Sequence, residues 1–182
     1  MGLLDRLRSS RTEATSSEPK PEIVAPALVY SWVISGRLAV GPLPRTVAHW
    51  QQLENAGFRS RFSCCYPEEE RITPPPHWIE SRVSLPDHRR QEPLRPERLA
   101  EALDKAETIM AASAPTYLHC MAGIERSPLI AAGLVARQRG IDLLAALEVI
   151  RLCHPRAMPI YSDLDVLDAV LREPKPAADS AA

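Results

Sequence analysis

Residues 116–128 read TYLHCMAGIERSP, and the rest of the chain can be ordered around them. A short apolar run, Pro115–Leu118, comes before Cys120, and a helix-like run, Leu129–Arg139, comes after Arg126. This layout is typical of a strand, a tight loop and the first turn of a helix. Strands mixed with helices around such a junction predict an α/β fold.

The loop between Cys120 and Arg126 has the properties of an anion site. The first N–H groups of a helix lack partners within the helix, and the helix dipole adds partial positive charge there. The same field favours the thiolate of Cys120 over its thiol. Arg126 adds a guanidinium that matches two phosphate oxygens, and Gly123 lets the loop turn its N–H groups inward. The pattern predicts a thiolate nucleophile inside a phosphate cradle, since a purely structural cysteine turn explains neither Arg126 nor Gly123.

Composition narrows the class of protein. The 182 residues carry a net charge of −1, which gives no global field for nucleic acid or an anionic membrane. No apolar run reaches the ~18 residues of a membrane span, and no signal peptide is visible. Four cysteines, Cys64, Cys65, Cys120 and Cys153, are spaced irregularly, unlike a disulfide framework or a zinc site. We expect a cytoplasmic monomer with reduced thiols, no cofactor or metal, no nucleic-acid partner and no membrane span.

The hydrophobic pattern predicts one folded domain over residues 27–173, with disordered tails at 1–26 and 174–182. The predicted strands are 27–33, 37–40, 59–65, 78–85 and the run before Cys120, and the predicted helices are 47–56, 96–110, 127–139, 143–153 and 160–171. The acidic run at 68–70 is predicted to be a solvated loop.

The spacing of Cys120 and Arg126, with His119 before and Ser127 after, resembles the Cys-x5-Arg signature of protein tyrosine phosphatases. The internal Ala122–Gly123 pair and the modest chain length most resemble the dual-specificity branch. The resemblance spans roughly residues 27–172, although only the loop is strongly specific. It implies a single-domain phosphatase-type fold, with a central mixed sheet of about five strands flanked by helices and a catalytic strand-loop-helix. It also implies hydrolysis of phosphate monoesters through a cysteinyl-phosphate intermediate.

The resemblance implies a role for each matching residue. Cys120 would be the nucleophile, Ser127 would donate to its sulfur, and His119 would support the loop from beneath. The phosphate would be bound by Met121, Ala122, Gly123, Ile124, Glu125 and Arg126. Asp87 would be the general acid, because Leu85–Asp87 resembles the Trp-Pro-Asp triplet of the larger tyrosine phosphatases.

Several further residues have more than one interpretation. Asp104, Asp142 and Asp163 are additional carboxylates, but Asp104 is predicted mid-helix and Asp142 as a helix cap. In some relatives a cysteine at the place of Cys65, with Cys64 beside it, forms a reversible disulfide with the nucleophile; two buried apolar side chains are the alternative. The Asn or Gln that usually places the hydrolytic water is not evident, and Ser162 or Asp163 stands near that place. A cluster of arginines near the acid loop, Arg89, Arg90, Arg95 and Arg98, could contact acidic residues around a phosphosite or form a solvated face.

The resemblance implies a phosphorylated protein as the partner, with phosphotyrosine as substrate and phosphoserine and phosphothreonine as further candidates. Glu125 lowers the positive charge beside Arg126, and no lysine lies between Cys120 and Arg126, which weakens the case for a phosphoinositide substrate. A loop of this kind would also suit a catalytically weak phospho-binding module or a rhodanese-like sulfurtransferase.

Overall fold

The computed structural model describes residues 26–90 and 92–173. The predicted tail at 174–182 and residues 1–25 of the other tail lie outside the described residues. The predicted limits of the domain therefore stay a prediction.

A mixed sheet of five strands forms the centre of the fold. The strands are β1 (Ser31–Ile34), β2 (Leu38–Pro42), β3 (Ser60–Ser63), β4 (Ile79–Arg82) and β5 (Thr116–Cys120), in the order β1-β2-β5-β3-β4. The strand β1 runs antiparallel to β2, and the other neighbouring pairs are parallel. This arrangement confirms the predicted α/β fold with its mixed five-stranded sheet.

Helices cover both faces of this sheet. They are α1 (Val47–Asn55), α2 (Pro96–Ala112), α3 (Arg126–Arg139), α4 (Leu143–Cys153) and α5 (Tyr161–Arg172), with a short 3₁₀ turn at Pro67–Glu69. The larger core cluster contains buried residues of α2 to α5, and the smaller cluster contains those of α1. No helix within the described ranges is long and apolar enough to cross a bilayer.

The first strand begins later than the sequence pattern predicts. It starts at Ser31 because the backbone N–H and carbonyl of Leu28 both bond to the Gln52 side chain, each at 2.8 Å. This segment therefore packs on α1, where Leu28 is buried. The other predicted elements occur, although β3 and β4 are shorter than predicted.

The strand directions decide where a site can form. Because β2, β3, β4 and β5 are parallel, their carboxyl ends meet at one edge of the sheet. In open α/β sheets this edge is where ligands bind. The segments that follow these strands start at residues 43, 64, 83 and 121, and they supply most of the groups that surround Cys120.

Candidate active site

The loop after β5 turns tightly at Gly123, which has φ +69°. A Cβ on Gly123 would lie 2.6 Å from the backbone carbonyl carbon of Gly41, closer than atoms can approach. Both the dihedral angle and the close approach therefore require glycine. This close approach holds the loop against the end of β2.

Three carbonyls of this loop are hydrogen-bonded from outside it. The bonds are Leu43 N–H to Met121 O at 3.3 Å, His154 Nε2–H to Gly123 O at 2.7 Å and Met158 N–H to Ile124 O at 2.8 Å. In a trans peptide the carbonyl and the following N–H point in opposite directions. The N–H groups of Ala122, Ile124 and Glu125 are thereby turned toward the loop interior, and such a nest of N–H groups attracts anions.

The predicted nucleophile and its hydroxyl partner lie together. Cys120 ends β5 with 2% of its surface exposed, and Ser127 is fully buried in the first turn of α3. The Ser127 Oγ–H donates to the Cys120 sulfur at 3.3 Å. A hydroxyl in this position can stabilise a thiolate.

His119 directly precedes Cys120 in β5 and is fully buried. Its Nε2 accepts a hydrogen bond from Arg61 Nη1 at 3.2 Å. Burial, and then the charge of Arg61, lowers the pKa of His119 to about 3. The ring is therefore neutral near pH 7 and acts as a packed hydrogen-bond acceptor.

Arg126 is buried and is held by a carboxylate that the sequence pattern does not assign to the site. Its Nη1 and Nη2 donate to the two oxygens of Glu69 at 2.8 and 3.0 Å. Burial opposes the charge of Arg126, but the hydrogen bonds to Glu69 and the negative charge that nearby Cys120 and Cys65 carry when ionised outweigh it and raise the arginine pKa. A permanently charged, fixed guanidinium results.

The predicted solvated loop at residues 68–70 is wrong for two of its three acids. Glu69 pairs with Arg126, and the Glu70 side chain is 4% exposed, where it bonds Arg61 and Arg82 at 2.8 and 2.7 Å. One signal in the sequence could have identified these two acids: the run comes a few residues after β3, at the edge where the parallel strands end.

Cys65, Glu70 and His119 have potential metal-ligand atoms within 4.8 Å of one another. The Glu70 carboxylate already pairs with Arg61 and Arg82, and Arg61 donates to His119 Nε2. These two guanidinium groups supply the positive charge that a metal would bring. The donor set therefore does not fit a metal ion.

The predicted general acid, Asp87, lies beside the loop and is 7% exposed. Its Oδ2 accepts from Arg89 Nη2 at 2.7 Å and Nε at 3.1 Å, and lies 3.4 Å from Arg126 Nη2. Burial alone would raise the pKa of Asp87, but Arg89 and Arg126 outweigh it and hold the pKa below its usual range. The carboxyl group is therefore ionised in the free protein near pH 7.

The other carboxylate candidates lie in different surroundings. Asp142 caps α4 by accepting from the Ala145 N–H at 2.8 Å, and Asp104 pairs with Arg137 at 2.8 Å. Asp163 is in the first turn of α5, where burial and the charge of Glu125 raise its pKa. Of these three, Asp163 is the carboxylate that lines a surface pocket together with Asp87 and His88.

Glu125 joins the loop to the segment that carries Asp87. Its Oε1 lies 2.6 Å from His88 Nδ1, and its Oε2 accepts from the His88 backbone N–H at 3.4 Å. Glu125 therefore faces the rim of the site.

Three of the four arginines in the predicted cluster form side-chain ion pairs with acidic residues of the described chain. Arg89 bonds Asp87, Arg90 bonds Glu68 at 2.7 Å, Arg98 bonds Glu101 at 2.7 Å, and Arg95 is the N-cap residue of α2. Of these arginines, Arg89 is the one that bonds a predicted catalytic residue.

The two adjacent cysteines face different neighbours. Ser63 pairs with His119 in the parallel ladder, and the Cys64 N–H donates to His119 O at 2.9 Å, so Cys64 lies beside Cys120. Cys64 and Cys120 also share the larger core cluster, whereas the Cys65 sulfur lies near His119. Burial raises the pKa of Cys64 and raises that of Cys65 to about 12. The four cysteines are free thiols.

Several solved structures are similar to this fold. Tk-PTP in its active form matches with a TM-score of 0.67 and 20% identity, covering 78% of this chain and 95% of that chain. PTPMT1 in complex with PI(5)P matches with a TM-score of 0.66 and 18% identity, covering 78% and 94%. Human DUSP28 matches with a TM-score of 0.64 and 23% identity, covering 81% and 94%. No protein-family model matches the sequence.

These likenesses show that the chain has the fold of the dual-specificity branch of the cysteine-based phosphatases, as the sequence predicts. The roles of the individual site residues stay predictions.

Proposed function

We propose that this chain is a cysteine-dependent phosphatase that hydrolyses phosphate monoesters through a cysteinyl-phosphate intermediate. One observation carries the proposal: a nucleophile, its hydroxyl donor, a fixed guanidinium and a carboxyl group meet at one loop. Ser127 Oγ lies 3.3 Å from Cys120 Sγ, and Arg126 Nη2 lies 3.4 Å from Asp87 Oδ2. The phosphatase fold supports the same chemistry.

In the first step the Cys120 thiolate attacks phosphorus. The S–P bond forms as the bond from phosphorus to the leaving oxygen breaks, and Asp87 gives its proton to that oxygen. Arg126 and the inward N–H groups bind the non-bridging oxygens, whose charge they stabilise most strongly in the transition state.

In the second step water attacks the phosphorus of the intermediate. The Asp87 carboxylate now takes a proton from this water, and the S–P bond breaks to release inorganic phosphate. Cys120 leaves as a thiolate, which the Ser127 hydroxyl stabilises as a hydrogen-bond donor.

We propose phosphotyrosine in proteins as the substrate, with phosphoserine and phosphothreonine as further substrates. Glu125 stands directly before Arg126, and Asp163 lies near Glu125. Both carboxylates disfavour a ligand that carries several phosphates. The likeness to PTPMT1 in complex with PI(5)P favours the second candidate, a phosphoinositide phosphatase.

We also propose that the catalytic domain spans residues 27–173 and works as a monomer in the cytoplasm. The irregular spacing of the four cysteines, which is unlike a disulfide framework, supports a reducing compartment.

The test is hydrolysis of a small aryl phosphate by the reduced wild-type protein and two variants across pH. Cys120→Ser should abolish turnover, because the serine hydroxyl stays protonated and is a much weaker nucleophile. Asp87→Asn should remove the alkaline limb of the pH profile, since the amide has no proton to lose. An active Cys120→Ser variant would contradict the mechanism.

The same preparation separates this function from its competitors. Vanadate binding without turnover would support a phospho-binding module, and sulfur transfer from thiosulfate to cyanide would support a sulfurtransferase. Release of phosphate from PI(5)P but not from phosphotyrosine peptides would support the second candidate.

A further inference from the structure

His154 follows α4 and connects the phosphate loop to the edge of the sheet. Its side chain is buried, with 6% of the residue exposed. The Nε2 atom lies 2.7 Å from Gly123 O, and the Nδ1 atom lies 2.9 Å from Ser31 Oγ. The sequence pattern indicates only that a helix ends at this residue.

The Gly123 carbonyl fixes which ring nitrogen must carry a hydrogen. A carbonyl oxygen can only accept, so Nε2 must carry the hydrogen that bonds Gly123 O. In the neutral ring Nδ1 then accepts from the Ser31 hydroxyl. The backbone is fixed as well, because the His154 N–H donates to Ile150 O at 2.7 Å and its carbonyl accepts from the Ala157 N–H at 2.9 Å.

This bond differs from the other two that hold the loop carbonyls. Met121 O and Ile124 O are held by backbone N–H groups, whereas Gly123 O is held by a side chain. Glycine permits rotation of its peptide group more readily than other residues. If that peptide rotated, its carbonyl oxygen would face Cys120 and the Ile124 N–H would leave the anion site.

We propose that His154 is a positioning residue that keeps the Gly123 carbonyl outside the loop and the Ile124 N–H inside it. His154 thereby favours both the Cys120 thiolate and the binding of a tetrahedral oxyanion. Ser31 anchors the other ring nitrogen, because its hydroxyl can donate to the Nδ1 atom that the Nε2–H form leaves unprotonated. This inference rests on the proposed function of the same site.

Two substitutions of similar polarity separate this role from general packing. In His154→Gln the amide nitrogen can occupy the place of Nε2 and keep the donor to Gly123. In His154→Asn the shorter amide reaches toward Ser31 but not toward Gly123. Ser31→Ala is the control at the other end, because it leaves the donor in place.

The first readout is the affinity of the full chain for orthovanadate, and the second is the rate at which iodoacetate alkylates Cys120 at about pH 6. His154→Asn should weaken vanadate binding about tenfold or more, the loss of one buried hydrogen bond, and should slow alkylation. His154→Gln should stay within about threefold of wild type in both, and Ser31→Ala should fall between them. Thermal unfolding verifies that each variant is folded.

Equal losses of vanadate affinity and of alkylation rate in His154→Gln and His154→Asn would overturn the role of His154. Nitrogen-15 NMR of the wild-type chain tests it independently of any variant, since an Nδ1–H tautomer would also overturn it. A wild-type chain that neither binds vanadate nor hydrolyses an aryl phosphate would instead defeat the proposed function itself.

Discussion

Replacing Arg89 with methionine should make the proposed general acid keep its proton to higher pH. Arg89 donates to Asp87 Oδ2 from Nη2 at 2.7 Å and from Nε at 3.1 Å, and both bonds favour the carboxylate. A general acid must carry its proton when the leaving oxygen departs. Arg89 thus opposes the protonated form of Asp87 in the free protein.

The size of the effect follows from the exposure of the pair. The Arg89 side chain is 58% exposed, so water screens its charge, although Asp87 is 7% exposed. Ion pairs that are largely exposed contribute about 0.2–1 kcal/mol, and one pKa unit corresponds to about 1.4 kcal/mol. The pKa of Asp87 should therefore rise by about 0.1–0.7 units in Arg89→Met.

The assay is kcat/KM for a small aryl phosphate as a function of pH, because this ratio reports ionisations of the free enzyme. The alkaline limb of the pH profile should move to higher pH in Arg89→Met. Arg90→Met is the matched control: Arg90 is the neighbouring arginine, but its side chain bonds Glu68 rather than the Asp87 carboxylate. The reasoning would be refuted if the limb stayed in place, moved to lower pH, or moved equally in Arg90→Met.

Two further predictions concern stability and oxidation. The pKa of His119 is about 3 in the folded protein against an ordinary value of 6.5, so below about pH 6.5 the unfolded chain binds a proton that the buried ring does not. The free energy of unfolding should fall by up to about 1.4 kcal/mol per pH unit as the pH drops from about 6 to 4.5. Urea denaturation should show that His119→Gln loses this part of the slope, and an unchanged slope would contradict the buried neutral ring. Peroxide should oxidise Cys120 to a sulfenic acid, and attack by the Cys64 thiol should then release water and form a disulfide, because neighbouring strands place these two residues side by side. Mass spectrometry should find the bridge in Cys65→Ser and lose it in Cys64→Ser, whereas a bridge that persists in Cys64→Ser would assign it to Cys65.

The spacing of Cys120 and Arg126 predicts the loop because both residues belong to one short segment, whose geometry is local. The partners of that loop are distant in sequence and cannot be found in this way. Glu69 reaches Arg126 only because β3 and β5 are parallel neighbours whose carboxyl ends coincide. His154 likewise looks like no more than the end of a helix until the packing of α4 brings it to Gly123.

The geometry around Arg126 connects substrate binding to the protonation of Asp87. Glu69 uses both of its oxygens to hold Arg126, while Asp87 lies 3.4 Å from Nη2 of the same guanidinium. In the proposed reaction a phosphate dianion bonds Arg126 and takes the place of this contact. Asp87 then loses part of its positive surroundings and gains a negative neighbour, and each change raises its pKa. Binding of the dianion would therefore let Asp87 take up a proton from solvent, which it then gives to the leaving oxygen, whereas the empty site keeps Asp87 ionised.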